Sequence, residues 1–247
     1  MAKNPNRKSM KRDNSLYGAT IFFLAACLAE CYLLALRKYY IHGDVATEAL
    51  VWHNKWLPVF IGLGAAVLVL GVVLSVLWKA DSRKRLLGWC LTGLGVFFSA
   101  GSFLIRQYQE PAVMLLSVVV PVLMVLTVIW AFYERECSVA LTALSGTLVV
   151  LWVCRRLFNS LSMGMTVKVL SVVYVLLLGG LCWLAKNKKL GKLLPENADL
   201  LPIYAATGLS AVAVVLGLFS ATILYYAMWG LGIVVFALAV YYTVRQL

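Results

Sequence analysis

Long apolar runs alternate with short polar stretches along the whole chain. A helix that crosses a membrane needs ~20 mostly apolar residues, because the hydrocarbon core is ~30 Å thick. The last apolar stretch, Leu200 to Val244, carries no charge, and as one helix it would be ~68 Å long. It must therefore fold back, and the segment GLFSAT at 217–222 is the predicted turn. The pattern then predicts eight spans, at about 17–36, 57–78, 86–105, 112–133, 137–157, 168–185, 200–218 and 223–244.

Composition supports a membrane as the surrounding medium. Of the 247 residues, 63% are hydrophobic and 13% are charged, and the mean hydropathy is +0.90. Soluble domains are about half apolar and about a quarter charged, so a soluble fold of this size would lack the polar surface to cover itself. We predict an all-α fold, a polytopic transmembrane helix bundle that forms one domain over residues 17–247, preceded by a basic segment at 1–16.

The basic residues predict how the chain is threaded. The net charge is +12, and the lysines and arginines cluster in the short polar stretches between apolar runs. With the amino terminus inside, fifteen of the 22 fall on the inner side and seven on the outer side. This bias favours a cytoplasmic location for both termini. If one helix in the middle of the chain did not span the membrane, the carboxyl terminus would lie outside instead. The charge is thus explained by topology and by contact with the lipid bilayer, and no nucleic-acid-binding motif is present.

The motifs of common membrane enzymes are missing. The chain has no HExxH motif and no P-loop, and no aspartate or histidine falls within a predicted span. The histidines, His42 and His53, share the first outer stretch, 38–56, with Asp44 and Glu48. Their spacing matches no standard metal site, and we interpret the stretch as a solvated loop. We therefore predict no catalytic residue, no cofactor and no metal site.

One face of the third span carries small residues. Their steps of four, three, four and three place them on one side of a helix, where small residues let two backbones approach closely in lipid. The set is Gly88, Thr92, Gly95, Ser99 and Ser102. A tight helix–helix contact is the favoured interpretation. The next step of four lands on Arg106, which is therefore predicted to lie at the end of the packed face and not on the lipid face.

The fourth span contains a proline near its middle. Pro121 cannot donate a backbone hydrogen bond and clashes with the carbonyl of Ser117, four residues back. We predict a kink at this position, which serves packing more often than gating.

Glu30 is a carboxylate inside the first span. An ionised group at the centre of a span costs ~2.5–3.5 kcal/mol, so this side chain should face protein or water. Arg106 and Arg156 lie at the outer ends of the third and fifth spans. Two hypotheses stay open: a structural ion pair of Glu30 with one of these arginines, or a polar cavity in which Glu30 carries protons or cations.

These features leave two classes of function. The scarcity of intramembrane polar groups favours a non-enzymatic accessory or scaffold subunit, with other membrane subunits as partners. The alternative is a small-solute or ion transporter that uses Glu30, Arg106, Arg156 and the Pro121 kink. An enzyme ranks third. Short loops and a basic amino terminus are compatible with the cytoplasmic membrane of a bacterium.

Overall fold

Every structural element in the described part of the chain is helical, so the predicted all-α class is confirmed. The structure is a computed structural model, and it describes residues 5–42, 46–79, 81–157, 164–187 and 200–246. The α-helices are α1 (Pro5–Leu36), α2 (Ala46–Val51), α3 (Leu57–Leu77), α4 (Ser82–Val96), α5 (Ser102–Tyr108), α6 (Glu110–Phe132), α7 (Arg135–Leu157), α8 (Gly164–Lys186), α9 (Leu201–Gly217) and α10 (Ala221–Gln246), with π-helical turns at Arg37–Ile41, Trp52–Trp56 and Phe97–Gly101.

Seven helical segments among the described residues are long and apolar enough to cross a membrane. They are Leu16–Ile41, Thr47–Leu77, Ser82–Tyr108, Glu110–Phe132, Arg135–Arg156, Lys168–Lys186 and Thr222–Arg245. The seventh predicted span corresponds to α9, which has 17 residues and is shorter than the others. The predicted turn at 217–222 is confirmed, because α9 ends at Gly217 and α10 begins at Ala221.

The first polar stretch differs from its prediction. We predicted a solvated loop over 38–56, whereas most of that stretch is helical. A π-helical turn extends α1 to Ile41, and α2 continues through the turn Trp52–Trp56 directly into α3. The two helical segments contact each other through aromatic rings, since those of Tyr39 and Trp52 stack with centroids 6.3 Å apart. Asp44 lies outside the described residues.

The chain forms two compact units, Met1–Ala131 and Phe132–Leu247. The single membrane domain over 17–247 stays a prediction. The predicted basic segment at 1–16 is not separated from the first span, since the backbone of α1 is helical from Pro5 onwards.

In the first unit, the long helical segments alternate in direction from one to the next along the chain. Helices α1 and α4 are parallel, because Gly18 lies beside Leu86 and the Tyr32 hydroxyl lies 2.7 Å from that of Ser102, just beyond α4. Helix α3, which lies between α1 and α4 in the sequence, runs in the opposite direction and packs antiparallel against α4. Helix α6 then runs back beside α4 and α5, where Leu116 approaches Gly101. The core between these helices contains Leu33, Leu36, Leu57, Ile105 and Val113, all at most 1% exposed.

The second unit has the same alternation. Helix α8 is antiparallel to α7. Cys154 contacts Ser171, and the earlier residue Thr147 of α7 contacts the later residue Tyr174 of α8. Helix α10 is also antiparallel to α7. Its Thr243 hydroxyl lies 2.8 Å from that of Tyr133, and its Tyr225 ring lies under the guanidinium of Arg155 at 4.7 Å. The buried core is built by α7, α9 and α10, with Ala140, Leu144, Leu151, Ala206, Val214, Leu224 and Leu231.

The turn between α5 and α6 strains one residue. Gln109 has φ 49° and ψ −122°, a region that glycine adopts readily and other residues adopt at a cost of about 1–3 kcal/mol. We expect Gln109→Gly to raise the free energy of unfolding by up to about 1 kcal/mol. The measurement is the unfolding midpoint in detergent. Gln107→Gly, in the last turns of α5, is the control and should lower stability by about 1 kcal/mol. Equal changes in both variants would contradict the proposed strain.

Candidate functional site

The small residues of the third span lie against α3 in a matched register. Each glycine of one helix faces a residue of the other, so that the backbones approach closely. The pairs along the contact are Gly64 with Ser99, Leu68 with Gly95, Gly71 with Thr92, and Ser75 with Gly88. Successive pairs are therefore separated by the same number of residues, three or four, in both segments, which run in opposite directions. We call these eight residues the glycine seam.

The seam has no room for a single added carbon. A Cβ on Gly95 would overlap the backbone nitrogen of Leu68 and lie 2.5 Å from its Cα, and a Cβ on Gly88 would lie 2.7 Å from the nitrogen of Ser75. Real side chains do not tolerate such contacts with a backbone, which cannot rotate away. By contrast, Gly62 and Gly93 have nothing within 4 Å of the same position. The glycines of the seam therefore set the distance between α3 and α4.

Ser102, the last residue of the predicted small face, does not contact α3 in this way. It is fully buried, and its hydroxyl is hydrogen-bonded to that of Tyr32 across 2.7 Å. The Tyr32 ring is also surrounded by aromatic rings, with the centroid of Phe60 at 4.8 Å and that of Phe98 at 5.2 Å. Tyr32 therefore joins α1 to α3, the π-helical turn Phe97–Gly101 and α5 at one point.

The sequence contained a signal for Tyr32 that our pattern analysis missed. A tyrosine in the middle of an apolar run must find a partner for its hydroxyl when it is buried. The partner is 70 positions away in the chain, so only the packing of α1 against α4 and α5 identifies it.

Glu30 has no partner for one of its carboxylate oxygens. Its Oε2 is buried and makes no hydrogen bond. In the described part of the chain no ion pair joins Glu30 to Arg106, so that predicted pair is absent. The Arg106 side chain is exposed, whereas its neighbour Ile105 is fully buried. Arg106 therefore does not extend the buried face, as its spacing from Ser102 suggested.

The remaining predicted residues are Arg156, Pro121 and Ser117. Arg156 is exposed near the end of α7 in the second unit, and its pairing with Glu30 stays a prediction. Pro121 lies inside α6, which is continuous from Glu110 to Phe132, and the Ser117 hydroxyl donates to the carbonyl of Val113 at 2.9 Å. The kink itself stays a prediction.

The histidines of the outer stretch do not gather metal ligands. Nδ1 of His53 is 3.0 Å from the hydroxyl of Tyr40, and Nδ1 of His42 is 3.0 Å from the carbonyl of Arg37. Within the described ranges, no three residues of the metal-binding types come together.

Polar side chains in the second unit also connect helices. The Cys154 thiol lies 3.0 Å from the Ser171 hydroxyl, and the Cys182 thiol lies 2.8 Å from that of Thr207. The Tyr174 hydroxyl donates to the carbonyl of Ala143 at 3.0 Å. These contacts tie α8 to α7 and α9.

No protein family matches this chain, and no curated protein and no solved structure matches it significantly.

Proposed function

We propose that this protein is an integral membrane protein that acts as a non-enzymatic accessory or scaffold subunit of a larger membrane assembly. Its seven long apolar helices are compatible with a membrane protein. The proposal places it in the cytoplasmic membrane of a bacterium, with lipid and other membrane subunits as its partners. An enzyme ranks behind both this role and transport, and the proposal includes no nucleic-acid partner.

One observation supports this proposal above all: several polar side chains of the described helices make contacts between helices. Tyr32 with Ser102, Cys154 with Ser171, and Cys182 with Thr207 bind one another across helices. Other hydroxyls, such as those of Thr92 and Thr142, donate to their own helix. A pathway for ions or solutes needs polar groups that remain available, and a subunit that serves as structure does not.

We propose eight crossings, with α9 as the eighth. Its 17 residues reach ~25 Å, somewhat less than the ~30 Å core. However, Gly217 at its end is level with Leu151 of α7, and Thr207 is level with Cys182 of α8. Helix α9 thus lies beside two helices that are each long enough to span. It also contributes Ala206, Ala213 and Val214 to the buried core.

An even number of crossings returns the chain to its starting side. Each unit then contributes four crossings, and both termini lie on the same face of the membrane. Because fifteen of the 22 basic residues fall on that face, the positive-inside rule makes it the cytoplasmic face.

The assembly is tested in the membranes of the source cell. The chain is tagged at its own locus, the membranes are solubilised gently, and its size is compared with that of the purified chain on a native gel. We expect the native sample to contain a discrete particle larger than the 27.2 kDa chain in its detergent. Identical migration of the native and purified chains would contradict the accessory role.

The transporter remains the second candidate, because the buried Oε2 of Glu30 is unpaired. The purified chain is reconstituted into liposomes that contain a pH-sensitive dye, alongside Glu30→Gln. If the accessory role is correct, neither protein should conduct protons above the level of empty liposomes. Proton flux in the wild type that Glu30→Gln abolishes would replace the accessory role with transport.

Glu30→Gln also tests the ion-pair hypothesis. Because Glu30 makes no ion pair with Arg106, the neutral amide should leave the unfolding midpoint unchanged or raise it, since an ionised carboxylate within a span is costly. A structural pair would give the opposite sign, because stranding its arginine costs roughly 3–5 kcal/mol. The thermal midpoint in detergent decides between them. A marked fall that Arg156→Gln reverses would show that Arg156 completes a pair with Glu30.

A further inference from the structure

Two oxygen atoms of the first unit lack their ordinary partners. Oε2 of Glu30, on α1, is buried and accepts no hydrogen bond. The other oxygen is the backbone carbonyl of Ser117, on α6. In a regular helix it would accept from the N–H four residues later, but that residue is Pro121, which has no N–H. Within a membrane, a carbonyl freed in this way finds its partner in a side chain, a water or an ion.

The two oxygens lie at the same level of the unit. The hydroxyl of Tyr32 on α1 lies 2.7 Å from that of Ser102, and α1 and α4 are parallel, so the carboxylate two residues before Tyr32 is level with position 100. On α6, Leu116 approaches Gly101. Because α6 runs in the opposite direction, the free carbonyl one residue after Leu116 is also level with position 100. The axial offset between the two is therefore within one helical turn, ~5 Å.

Both residues also lie on helix faces that border the same space. Glu30 follows Ala26 by four residues, and Ser117 precedes Met124 by seven, so the members of each pair share a helix face. Ala26 and Met124 both line an apolar groove between α1, α4 and α6. Residues of α1 and α6 next to these positions also share the buried core. The carboxylate and the free carbonyl therefore face the space between α1 and α6.

The pair has the chemistry of a site for a small monovalent cation. Carboxylate and carbonyl oxygens are the ligands that hard cations prefer, and carbonyls freed from a broken helix coordinate sodium in membrane transporters. The Ser117 hydroxyl donates to the carbonyl of Val113, which leaves its own oxygen able to serve as a third ligand. One positive charge balances one carboxylate, whereas a divalent ion would leave an unbalanced charge within the span. In the described part of the chain, Arg106 does not balance Glu30.

We propose that the first unit binds one sodium ion between α1 and α6, with the Glu30 carboxylate, the Ser117 carbonyl and the Ser117 hydroxyl oxygen as its protein ligands. The bound ion joins the two helices and offsets the cost of a carboxylate within a span. Glu30 is only partly buried, so a small ion can reach it. This site goes beyond the accessory role and does not depend on it, because the native gel tests separately whether the chain has a partner.

The thermal midpoint of the full chain in detergent, measured as a function of sodium, tests this site. Sodium chloride replaces N-methyl-D-glucamine chloride at constant ionic strength, so that general salt effects cancel. A ligand that binds the folded chain alone raises the midpoint with the logarithm of its concentration. We expect about 5–10 °C for each hundredfold increase in sodium above its dissociation constant. Equal midpoints in the two salts would overturn the proposal.

Two substitutions act on the ligands one at a time. Glu30→Gln should abolish the response to sodium, whereas Glu110→Gln, at an exposed glutamate of α6, should keep it. Pro121→Ala returns an N–H to the Ser117 carbonyl, so the sodium concentration needed for the same midpoint should rise about tenfold or more. Pro111→Ala is its control, because a proline in the first turn of a helix frees no carbonyl.

The responses of these variants decide which oxygens bind the ion. A full response to sodium in Glu30→Gln would refute the carboxylate ligand, and an unchanged response in Pro121→Ala would refute the carbonyl ligand. Without sodium, the wild type and Glu30→Gln should keep the order of midpoints predicted above. If Glu30→Gln does not fold, Pro121→Ala decides, since alanine favours the helix at that position.

Discussion

Gly95→Leu should remove most of the folded protein from detergent extracts. The residue lies in the glycine seam, where even a Cβ would overlap the backbone of Leu68. The leucine can fit only if α3 and α4 move apart. Such a movement breaks the neighbouring pairs, Gly71 with Thr92 and Ser75 with Gly88, together with the one at position 95. Overpacking of a well-packed core costs about 1–3 kcal/mol at a single site, and a shift that opens several pairs at once costs more.

Two leucine substitutions outside the seam, Val96→Leu and Gly62→Leu, are the controls for this prediction. Val96 is the next residue and is 47% exposed. Val96→Leu therefore adds a leucine to the same part of the helix at a position outside the seam. Gly62→Leu adds the same side chain at an open position of α3. The improved helix propensity of leucine should leave this variant as stable as the wild type or slightly more stable. The yield of monodisperse protein is measured by size-exclusion chromatography. Equal yields for Gly95→Leu and Val96→Leu would mean that the seam does not hold α3 against α4.

Tyr32→Ala should be the second most damaging substitution. Truncation of a buried aromatic side chain to alanine costs about 3–5 kcal/mol, and Tyr32 is 8% exposed. It would leave the fully buried Ser102 hydroxyl without its partner and would open a gap between Phe60 and Phe98. Tyr32→Phe keeps the ring contacts and loses only the hydrogen bond, so it should cost about 1 kcal/mol.

The two changes at Tyr32 distinguish packing from hydrogen bonding. Thermal unfolding followed by circular dichroism gives the midpoints, and Phe23→Ala, at a residue that is 39% exposed, is the control for loss of an aromatic ring. Tyr32→Ala should lower the midpoint several times more than Tyr32→Phe. Similar midpoints for Tyr32→Ala and Phe23→Ala would contradict the role of Tyr32 as a junction between helices.

Hydropathy was sufficient to locate the helices, because bilayer thickness imposes one length on every span. The turn between α9 and α10 followed from the same length limit, since 200–244 is too long for one crossing. Hydropathy failed at 38–56, where tyrosine, tryptophan and histidine lower the apolar score. The described part of this stretch is mostly helical, and the rings of Tyr39 and Trp52 stack within it.

The details of the candidate site depended on information that spacing does not hold. The step from Ser102 placed Arg106 on the packed face, but in α5 the buried residue is Ile105, three positions after Ser102, and Arg106 is exposed. Glu30 was expected to meet an arginine because the cost of burial demanded a partner. Its buried Oε2 has none, and a sequence pattern cannot distinguish a paired carboxylate from a neutral one.

The proposed threading crosses the membrane eight times, and the location of the carboxyl terminus tests that number most directly. A reporter pair, one active only in the cytoplasm and one only outside it, is fused after Leu247. Fusions after Arg85 and after Lys192 should be cytoplasmic, and one within 40–55 should be external, which calibrates the threading. If α9 crosses the membrane, the fusion after Leu247 is cytoplasmic, on the same side as that after Lys192. An external carboxyl terminus would show that α9 does not cross, and the eight-crossing topology would be wrong.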